Sequence, residues 1–97
     1  IVSDINNNFV MLYMKGTKEM PMCGFSATMV KILDHYGVDY KTTNVLEDPN
    51  IRVELSKHSN WPTIPQLFVD GELIGGCDIA TEMHNDGTLK PIFKNKS

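Results

Sequence analysis

Ninety-seven residues are enough for one domain with a single hydrophobic core, and we expect residues 1–97 to form that domain. Hydrophobic residues make up 41% of the chain and charged residues 22%, which is typical of folded proteins and not of disordered ones. The formal net charge is −3 and no basic stripe with interleaved aromatic residues occurs, so nucleic acid is not an expected partner. The apolar runs are too short to cross a membrane, and no membrane partner is expected either.

The first half of the chain predicts two strands with a helix between them. Phe9–Met14 is apolar without polar alternation, which predicts a strand buried on both faces. Apolar residues recur at helical spacing over Gly24–Tyr36, with Phe25 as the first of them, and Gly37 is a typical helix stop. Tyr40–Val45 alternates weakly after this helix and predicts a second strand parallel to the first.

The second half begins with a helix and continues with a hairpin. Asp48-Pro49 combines an N-cap acceptor with proline at the first helical position, and we expect the helix to end near His58. Pro65–Val69 and Glu72–Ile74 predict two antiparallel strands, because Asp70-Gly71 between them is a typical hairpin turn.

The chain closes with helical signals, which complete the predicted fold. Asp78 is a candidate cap for a helix running to about Asn85, and Leu89–Phe93 predicts a further short turn of helix. The order β-α-β-α-β-β-α predicts an α/β fold with a mixed four-stranded sheet and helices packed on its faces.

The thiol of Cys23 is the main candidate for chemistry, because it lies between a loop and the start of a predicted helix. Backbone N–H groups and the helix dipole stabilise a thiolate there, and Lys15 at the end of the first strand is placed to add a positive charge. We therefore predict a lowered pKa for Cys23; the alternative is a small buried hydrophobic residue. Cys23-Gly24-Phe25-Ser26 has the frame of a C-x-x-C redox motif without its second cysteine, so Cys23 cannot close a local disulfide.

The cysteine content also bears on the compartment. Two cysteines are too few for a secreted disulfide scaffold, and a working thiol suits a reducing compartment. We expect the cytoplasm or the mitochondrial matrix.

Several blocks of the sequence together resemble the CGFS class of monothiol glutaredoxins, and the resemblance covers nearly the whole chain. In the family's order, the blocks are Lys15-Gly16-Thr17, Pro21, Cys23-Gly24-Phe25-Ser26, Trp61-Pro62-Thr63-Ile64-Pro65-Gln66, Asp70-Gly71-Glu72 and Gly75-Gly76-Cys77-Asp78. The resemblance implies the thioredoxin-like fold of glutaredoxins. One departure is that the family's opening helix is barely represented before Phe9, so either this segment is trimmed or the helix is short.

The resemblance implies a glutathione site with several parts. A cis peptide bond before Pro65 is implied to let the backbone of Ile64 pair with the cysteinyl part of glutathione, in the manner of an added strand. Lys15 and Arg52 are the implied cations for the glycine carboxylate. Without the resemblance, Arg52 is interpreted as an ordinary exposed charge on a helix.

The start of the last long helix is implied to hold the other end of glutathione. Backbone N–H groups of Cys77 and Asp78 face the γ-glutamyl carboxylate in this interpretation, and Gly75-Gly76 lets the backbone approach the ligand. We expect the Asp78 carboxylate both to meet the γ-glutamyl amine and to cap the helix. Cys77 is a buried small residue, a liner of the glutathione site or a disulfide partner of Cys23, and we favour the liner.

The remaining candidates receive no chemical role. Trp61, Phe25 and the methionines are interpreted as core or rim residues. The three histidines lie in unrelated predicted helices without metal-ligand spacing: His35, His58 and His84.

For function, the resemblance implies an iron–sulfur carrier. A [2Fe–2S] cluster commonly takes four thiolates, which two chains supply when each contributes Cys23 and one bound glutathione. Cys23 is thus the expected metal ligand. The implied partners are a second copy in a cluster-bridged homodimer, BolA-type proteins and iron–sulfur acceptor proteins.

The alternative function is a glutathione-dependent thiol–disulfide oxidoreductase, in which Cys23 is the nucleophile and glutathione the resolving thiol. The resemblance links a long loop, here Thr17 to Met22, with a reshaped glutathione site and poor turnover, so this activity ranks second and enzymatic status stays open. A third interpretation, a non-redox interaction domain, is disfavoured because Cys23, Lys15, Pro65 and Asp78 are all present.

Overall fold

The computed structural model describes residues 2–60 and 63–94, in which helices and strands alternate before a hairpin and two closing helices. In chain order, the elements are α1 (Val2–Asn7), β1 (Val10–Met14), α2 (Gly24–Tyr36), β2 (Lys41–Asn44), α3 (Pro49–Ser59), β3 (Gln66–Val69), β4 (Glu72–Gly75), α4 (Cys77–Asp86) and α5 (Leu89–Lys94). The predicted order of the strands and long helices is confirmed, as is the short final helix.

The four strands form one mixed sheet in the order β2-β1-β3-β4. β1 pairs in parallel with β2 and antiparallel with β3, and β3 pairs antiparallel with β4. All five residues of β1 are buried, as expected of a strand covered on both faces. This is the mixed four-stranded sheet that the order of predicted elements indicates, and it agrees with the thioredoxin-like fold that the resemblance implies.

The side chains of β1 alternate between two hydrophobic clusters, one on each face of the sheet. Val10, Leu12 and Met14 join the cluster formed with α2, α4 and α5. Met11 and Tyr13 join the cluster formed with α1 and α3. Helices therefore cover both faces, and none of them within the described ranges is long and apolar enough to cross a membrane.

Two local signals act as the sequence predicts. The side chain of Asp48 accepts a hydrogen bond from the N–H of Asn50 at 3.0 Å and so caps α3, with Pro49 at its first position. The β3–β4 turn places Asp70 at φ 53° and Gly71 at φ 82°. Two consecutive left-handed residues give the turn that matches the twist of a hairpin.

A short opening helix precedes the sheet, where the sequence leads us to expect almost none. α1 has only six residues, and its Ile5 is buried in the cluster beside α3. So short a helix presents too few inward positions for apolar periodicity to reveal it. The structure therefore contains a helix before the sheet, although the sequence barely signals one.

The register of the sheet brings the site-forming segments to one end of the molecule. Aligned pairs at this end are Met14 with Asn44, Tyr13 with Gln66, and Leu67 with Gly75. The segments that follow β1, β2 and β4 and the segment that precedes β3 therefore all lie at the same end. The starts of α2, α3 and α4 are connected to these segments.

Candidate functional site

A groove of about 380 Å³ lies where the strands end and the three long helices begin. Its walls come from the loop after β1, the first turns of α2, α3 and α4, and the segment before β3. The lining residues are Lys15, Cys23, Phe25, Arg52, Thr63, Ile64, Pro65, Gly76, Cys77, Asp78 and Ile79. The structure thus brings together in one groove the candidate residues that the sequence and the resemblance supply, except Gly75: Cys23, Lys15, Arg52, Ile64, Pro65, Gly76, Cys77 and Asp78.

Cys23 occupies the N-cap position of α2, with extended backbone angles and a partly exposed thiol. The pKa of this thiol is lowered chiefly by the backbone N–H of Ser26, then by that of Phe25, although neither amide makes a regular capping hydrogen bond. Lys15 and the hydroxyl of Ser26 lower the pKa further, against an opposing effect of burial. The predicted direction of the shift is confirmed, and the thiolate is the form that acts as nucleophile or metal ligand.

Ser26 has a structural role that the sequence motif does not reveal. Its side chain is fully buried, and its hydroxyl oxygen accepts a hydrogen bond from the N–H of Lys15 at 3.1 Å. The residue that replaces the second cysteine of the C-x-x-C frame therefore ties the first turn of α2 to the end of β1. No sequence signal connects these positions, which are eleven residues apart.

Two cations, Lys15 and Arg52, line the groove. Lys15 follows β1 directly and is half-buried, whereas Arg52 is exposed in the first turn of α3. The Asp48 cap determines where α3 begins and therefore where the guanidinium group of Arg52 lies. Positive charge on these walls gives the groove donors suited to a carboxylate.

The start of α4 forms another wall of the groove. Gly76 is the N-cap, Cys77 is the first helical residue, and the N–H of Ala80 bonds the Gly76 carbonyl at 3.0 Å. The N–H groups of the first turn have no acceptor within the helix, and they form a site suited to a carboxylate. The predicted capping role of Asp78 is wrong, because this exposed residue is already inside the helix and the cap makes no side-chain hydrogen bond.

Cys77 and the segment before β3 complete the lining. Cys77 carries a free thiol, 3.9 Å from the hydroxyl of Thr81, and Cys23 is likewise free. Ile64 and Pro65 are buried at the groove wall, and the peptide bond between them is cis.

Exposed apolar side chains lie at the mouth of the groove, which is the rim position among the two alternatives, core or rim, that the sequence leaves open for them. Phe25 has helical spacing with the core residues of α2, yet its side chain is 61% exposed and lines the groove, which makes it a rim residue. Met20 and Met22 in the preceding loop are also exposed. Thr63 and Ile79 line the groove without any signal of their own in the sequence, and Trp61 lies outside the described residues.

The histidines lie away from the groove. The prediction that they occupy unrelated helices is wrong for His35 and His84, because α2 and α4 pack together and bring the two ring centroids to 5.1 Å. Tyr36 links to this pair through a 2.7 Å hydrogen bond between its hydroxyl and Nδ1 of His84. Among the described residues, no group of three or more His, Cys, Asp or Glu side chains is arranged to hold a metal ion.

These features define a class of protein: a thioredoxin-fold domain with one low-pKa cysteine at the start of the helix after its first strand. Comparison with known proteins makes the class narrower. The family model described as Glutaredoxin matches residues 10–74. A Rickettsia felis protein named probable monothiol glutaredoxin 2 is 54% identical over 94 residues, which are 97% of this chain and 90% of that protein. The chain belongs to the glutaredoxin family, among its monothiol members.

Solved structures give the same fold. A truncated monomeric mutant of Trypanosoma brucei 1-C-Grx1 superposes with a TM-score of 0.89 at 39% identity, over 97% of this chain and 86% of that one. A buckwheat glutaredoxin in complex with glutathione superposes with a TM-score of 0.84 at 28% identity, over 95% and 82% of the two chains.

Proposed function

We propose that the groove binds reduced glutathione non-covalently and that two copies of the chain, each with one glutathione, carry a [2Fe–2S] cluster for transfer to other proteins. One observation carries this proposal: the low-pKa thiol of Cys23 shares a groove with two cations and the free N-terminus of α4. Glutathione has a thiol, an amine and two carboxylates, so its groups match this set of partners.

In the proposed complex, Lys15 and Arg52 bind the glycine carboxylate of glutathione. The N–H groups of Cys77 and Asp78 bind the γ-glutamyl carboxylate, and the Asp78 carboxylate binds the amine. Ile64, beside Pro65, offers its backbone to the cysteinyl part. A buckwheat glutaredoxin of the same fold forms a complex with glutathione, which supports glutathione as the ligand.

The cluster is the cargo in this proposal, and the donor atoms present fit it only when two chains combine. A [2Fe–2S] cluster takes four thiolates, and in this proposal each chain supplies one of them through Cys23, whose pKa is lowered. Two copies of Cys23 and two glutathione thiolates complete the set. Because glutathione is held non-covalently, half of the ligands are exchangeable, which suits release to iron–sulfur acceptors and exchange with BolA-type partners in the cytoplasm or mitochondrial matrix.

Anaerobic reconstitution with ferrous iron, sulfide and glutathione tests the proposal. We expect a visible chromophore that elutes with a dimer on size exclusion, and we expect it to be lost both in Cys23→Ser and when glutathione is omitted. Cys77→Ser is the matched control, because it removes the other thiol and should keep the chromophore. A colourless monomer from the unaltered protein would rule the carrier function out.

A second candidate function is favoured by the partly exposed thiol of Cys23, whose pKa is lowered chiefly by the backbone N–H of Ser26. In it, Cys23 attacks the glutathione sulfur of a protein–glutathione mixed disulfide, which forms a Cys23–glutathione disulfide and releases the protein thiolate. A second glutathione thiolate then attacks this disulfide, releasing oxidised glutathione and regenerating Cys23. A glutathionylated peptide assayed with wild type and Cys23→Ser measures this activity separately from cluster binding.

A further inference from the structure

Asn44 connects the two parts of the chain that carry the groove's cations. It is the last residue of β2, and its side-chain oxygen accepts hydrogen bonds from the N–H of Gly16 at 2.9 Å and from the N–H of Leu46 at 3.0 Å. Gly16 follows Lys15 directly, and Leu46 begins the segment that leads to α3 and Arg52. One oxygen atom thus bridges the loop after β1 and the turn after β2.

We propose that Asn44 is a positioning residue that sets Lys15 and Arg52 relative to each other for the glycine carboxylate of glutathione. Asn44 does not line the groove and so acts through its two neighbours. The inference rests on the proposed glutathione site and adds a residue to it that the resemblance does not supply.

On the Lys15 side, the contact of Asn44 completes a set of three backbone hydrogen bonds. The N–H of Lys15 bonds the hydroxyl of Ser26 at 3.1 Å, and the carbonyl of Lys15 accepts the N–H of Met22 at 2.9 Å. Asn44 holds the next N–H, that of Gly16. The peptide groups on both sides of Lys15 are therefore fixed, which restricts the directions that its side chain can take.

On the Arg52 side, Asn44 accepts hydrogen bonds that hold the turn leading into α3. Its side-chain oxygen holds the N–H of Leu46, and its backbone carbonyl accepts the N–H of Glu47 at 3.2 Å. The next residue is Asp48, the cap of α3, and Arg52 lies in the first helical turn after it. A displaced turn would therefore move the start of α3 and the guanidinium group with it.

The strand itself does not require this side chain. Asn44 is aligned with Met14 in the parallel β1–β2 pair, and the N–H of Val45 bonds the carbonyl of Met14 at 2.9 Å. These are backbone contacts, which any residue makes at this position. The side chain is thus available to tie the two cation-bearing segments together.

The test is calorimetric binding of two probes to wild type and to Asn44→Ala under anaerobic conditions. The probes are reduced glutathione and its glycinamide form, in which an uncharged amide replaces the glycine carboxylate. Wild type should prefer glutathione. Asn44→Ala should bind glutathione about tenfold more weakly, as expected for the loss of roughly one well-made polar interaction, while its affinity for the amide stays within about twofold.

Two further variants separate positioning from general damage. Asn44→Asp keeps an oxygen that accepts both N–H groups, so it should restore the preference for glutathione. Thr42→Ala is the matched control on the same face of β2, and it should bind both probes as wild type does. If thermal unfolding shows that Asn44→Ala does not fold, Asn44→Gln takes its place. Its amide lies one methylene further out, so this variant should also lose the preference for glutathione over the glycinamide form.

The outcomes distinguish the inference from the function on which it rests. Wild type that binds neither probe, or binds both equally, would overturn the proposed glutathione site and the inference with it. Wild type that discriminates between the probes, together with an Asn44→Ala variant that discriminates equally well, would overturn the inference alone. So would an Asn44→Asp variant that restores nothing.

Discussion

Replacing Gly75 with alanine tests how the chain enters α4. Gly75 has φ +142°, and an added Cβ would lie 2.9 Å from Cβ of Ile79 and 3.0 Å from its Cγ1. The unfavourable backbone angle costs about 1–3 kcal/mol for a residue with a side chain. Overpacking against Ile79 adds about 1–3 kcal/mol. We therefore expect Gly75→Ala to lower the free energy of unfolding by roughly 2–6 kcal/mol.

Two comparisons separate the backbone and packing contributions. Gly87 also has a positive φ, +83°, but no described atom lies within 4 Å of its added Cβ, so Gly87→Ala should cost only about 1–2 kcal/mol. Ile79→Ala made in the Gly75→Ala background removes Cγ1 of Ile79 but keeps its Cβ, so it should recover only part of the packing cost, about 1 kcal/mol, as a favourable coupling energy.

Urea unfolding followed by circular dichroism provides the free energies for this cycle. Glutathione affinity should fall along with stability, because Gly75 fixes the approach to the helix N-terminus that lines the groove. A Gly75→Ala variant no less stable than Gly87→Ala would refute the reasoning. A coupling energy of zero with Ile79→Ala would refute the part of the packing cost that is assigned to the atoms of Ile79 beyond Cβ.

Three further predictions concern groups whose ionisation or hydrogen bonding is coupled to the fold. The pKa of Cys23, followed by the ultraviolet absorbance of its thiolate with Cys23→Ser as the blank, should lie below that of free cysteine. Because the pKa of Cys23 is lower in the folded state, the ionisation of Cys23 stabilises the fold above the unfolded-state pKa. This stabilisation is lost as the pH falls through the folded-state pKa. A Cys23 titration at the pKa of free cysteine would contradict the prediction. Ser26→Ala removes the buried acceptor of the Lys15 N–H, so it should lower the unfolding free energy by about 1–3 kcal/mol and raise the pKa of Cys23. The prediction requires both effects. A variant that is less stable but has an unchanged Cys23 titration would show that Ser26 stabilises the fold without influencing the thiol. Burial raises the pKa of Tyr13 to about 12, with Asp4 adding to the shift. The contribution of Tyr13 to the free energy of unfolding is therefore complete below its unfolded-state pKa of about 10, and it is lost as the pH rises through its folded-state pKa. Tyr13→Phe should flatten this alkaline loss in urea unfolding, and an identical pH profile would argue against it.

The elements of the fold could be predicted because their signals are local. The continuous apolar run of β1, the Asp48-Pro49 start of α3 and the Asp70-Gly71 turn each lie within a few residues and act as the sequence indicates. The short α1 offers no comparable pattern, because only a few of its residues can face the sheet. Phe25 shows the limit of periodicity, since it has the spacing of the core residues of α2 and yet is exposed at the groove, whereas its neighbour Ser26 is fully buried.

Most of the residues that line the site could be predicted from the sequence, but the hydrogen bonds that hold them in place could not. Cys23 could be identified because a helix start lowers a thiol pKa whatever the rest of the fold does. Lys15 could be placed near Cys23 from its position after the first strand, whereas Arg52 needed the family resemblance, since exposed cations are common on surfaces. The hydrogen bonds of Ser26 and Asn44 join residues 11 and 28 positions apart, and only the folded chain brings these groups together.

Ser26 explains how one substitution in a C-x-x-C frame has two consequences. A hydroxyl is a good hydrogen-bond acceptor, whereas a thiol is a weak one, and the N–H of Lys15 needs an acceptor at a fully buried position. Serine therefore holds Lys15 at the groove more firmly than cysteine would. The same substitution removes the only nearby sulfur in the motif that could resolve a disulfide on Cys23. The thiol of Cys23, whose pKa is lowered, therefore lies near a fixed cation and has no second sulfur in its own motif, which is what both proposed functions require of it.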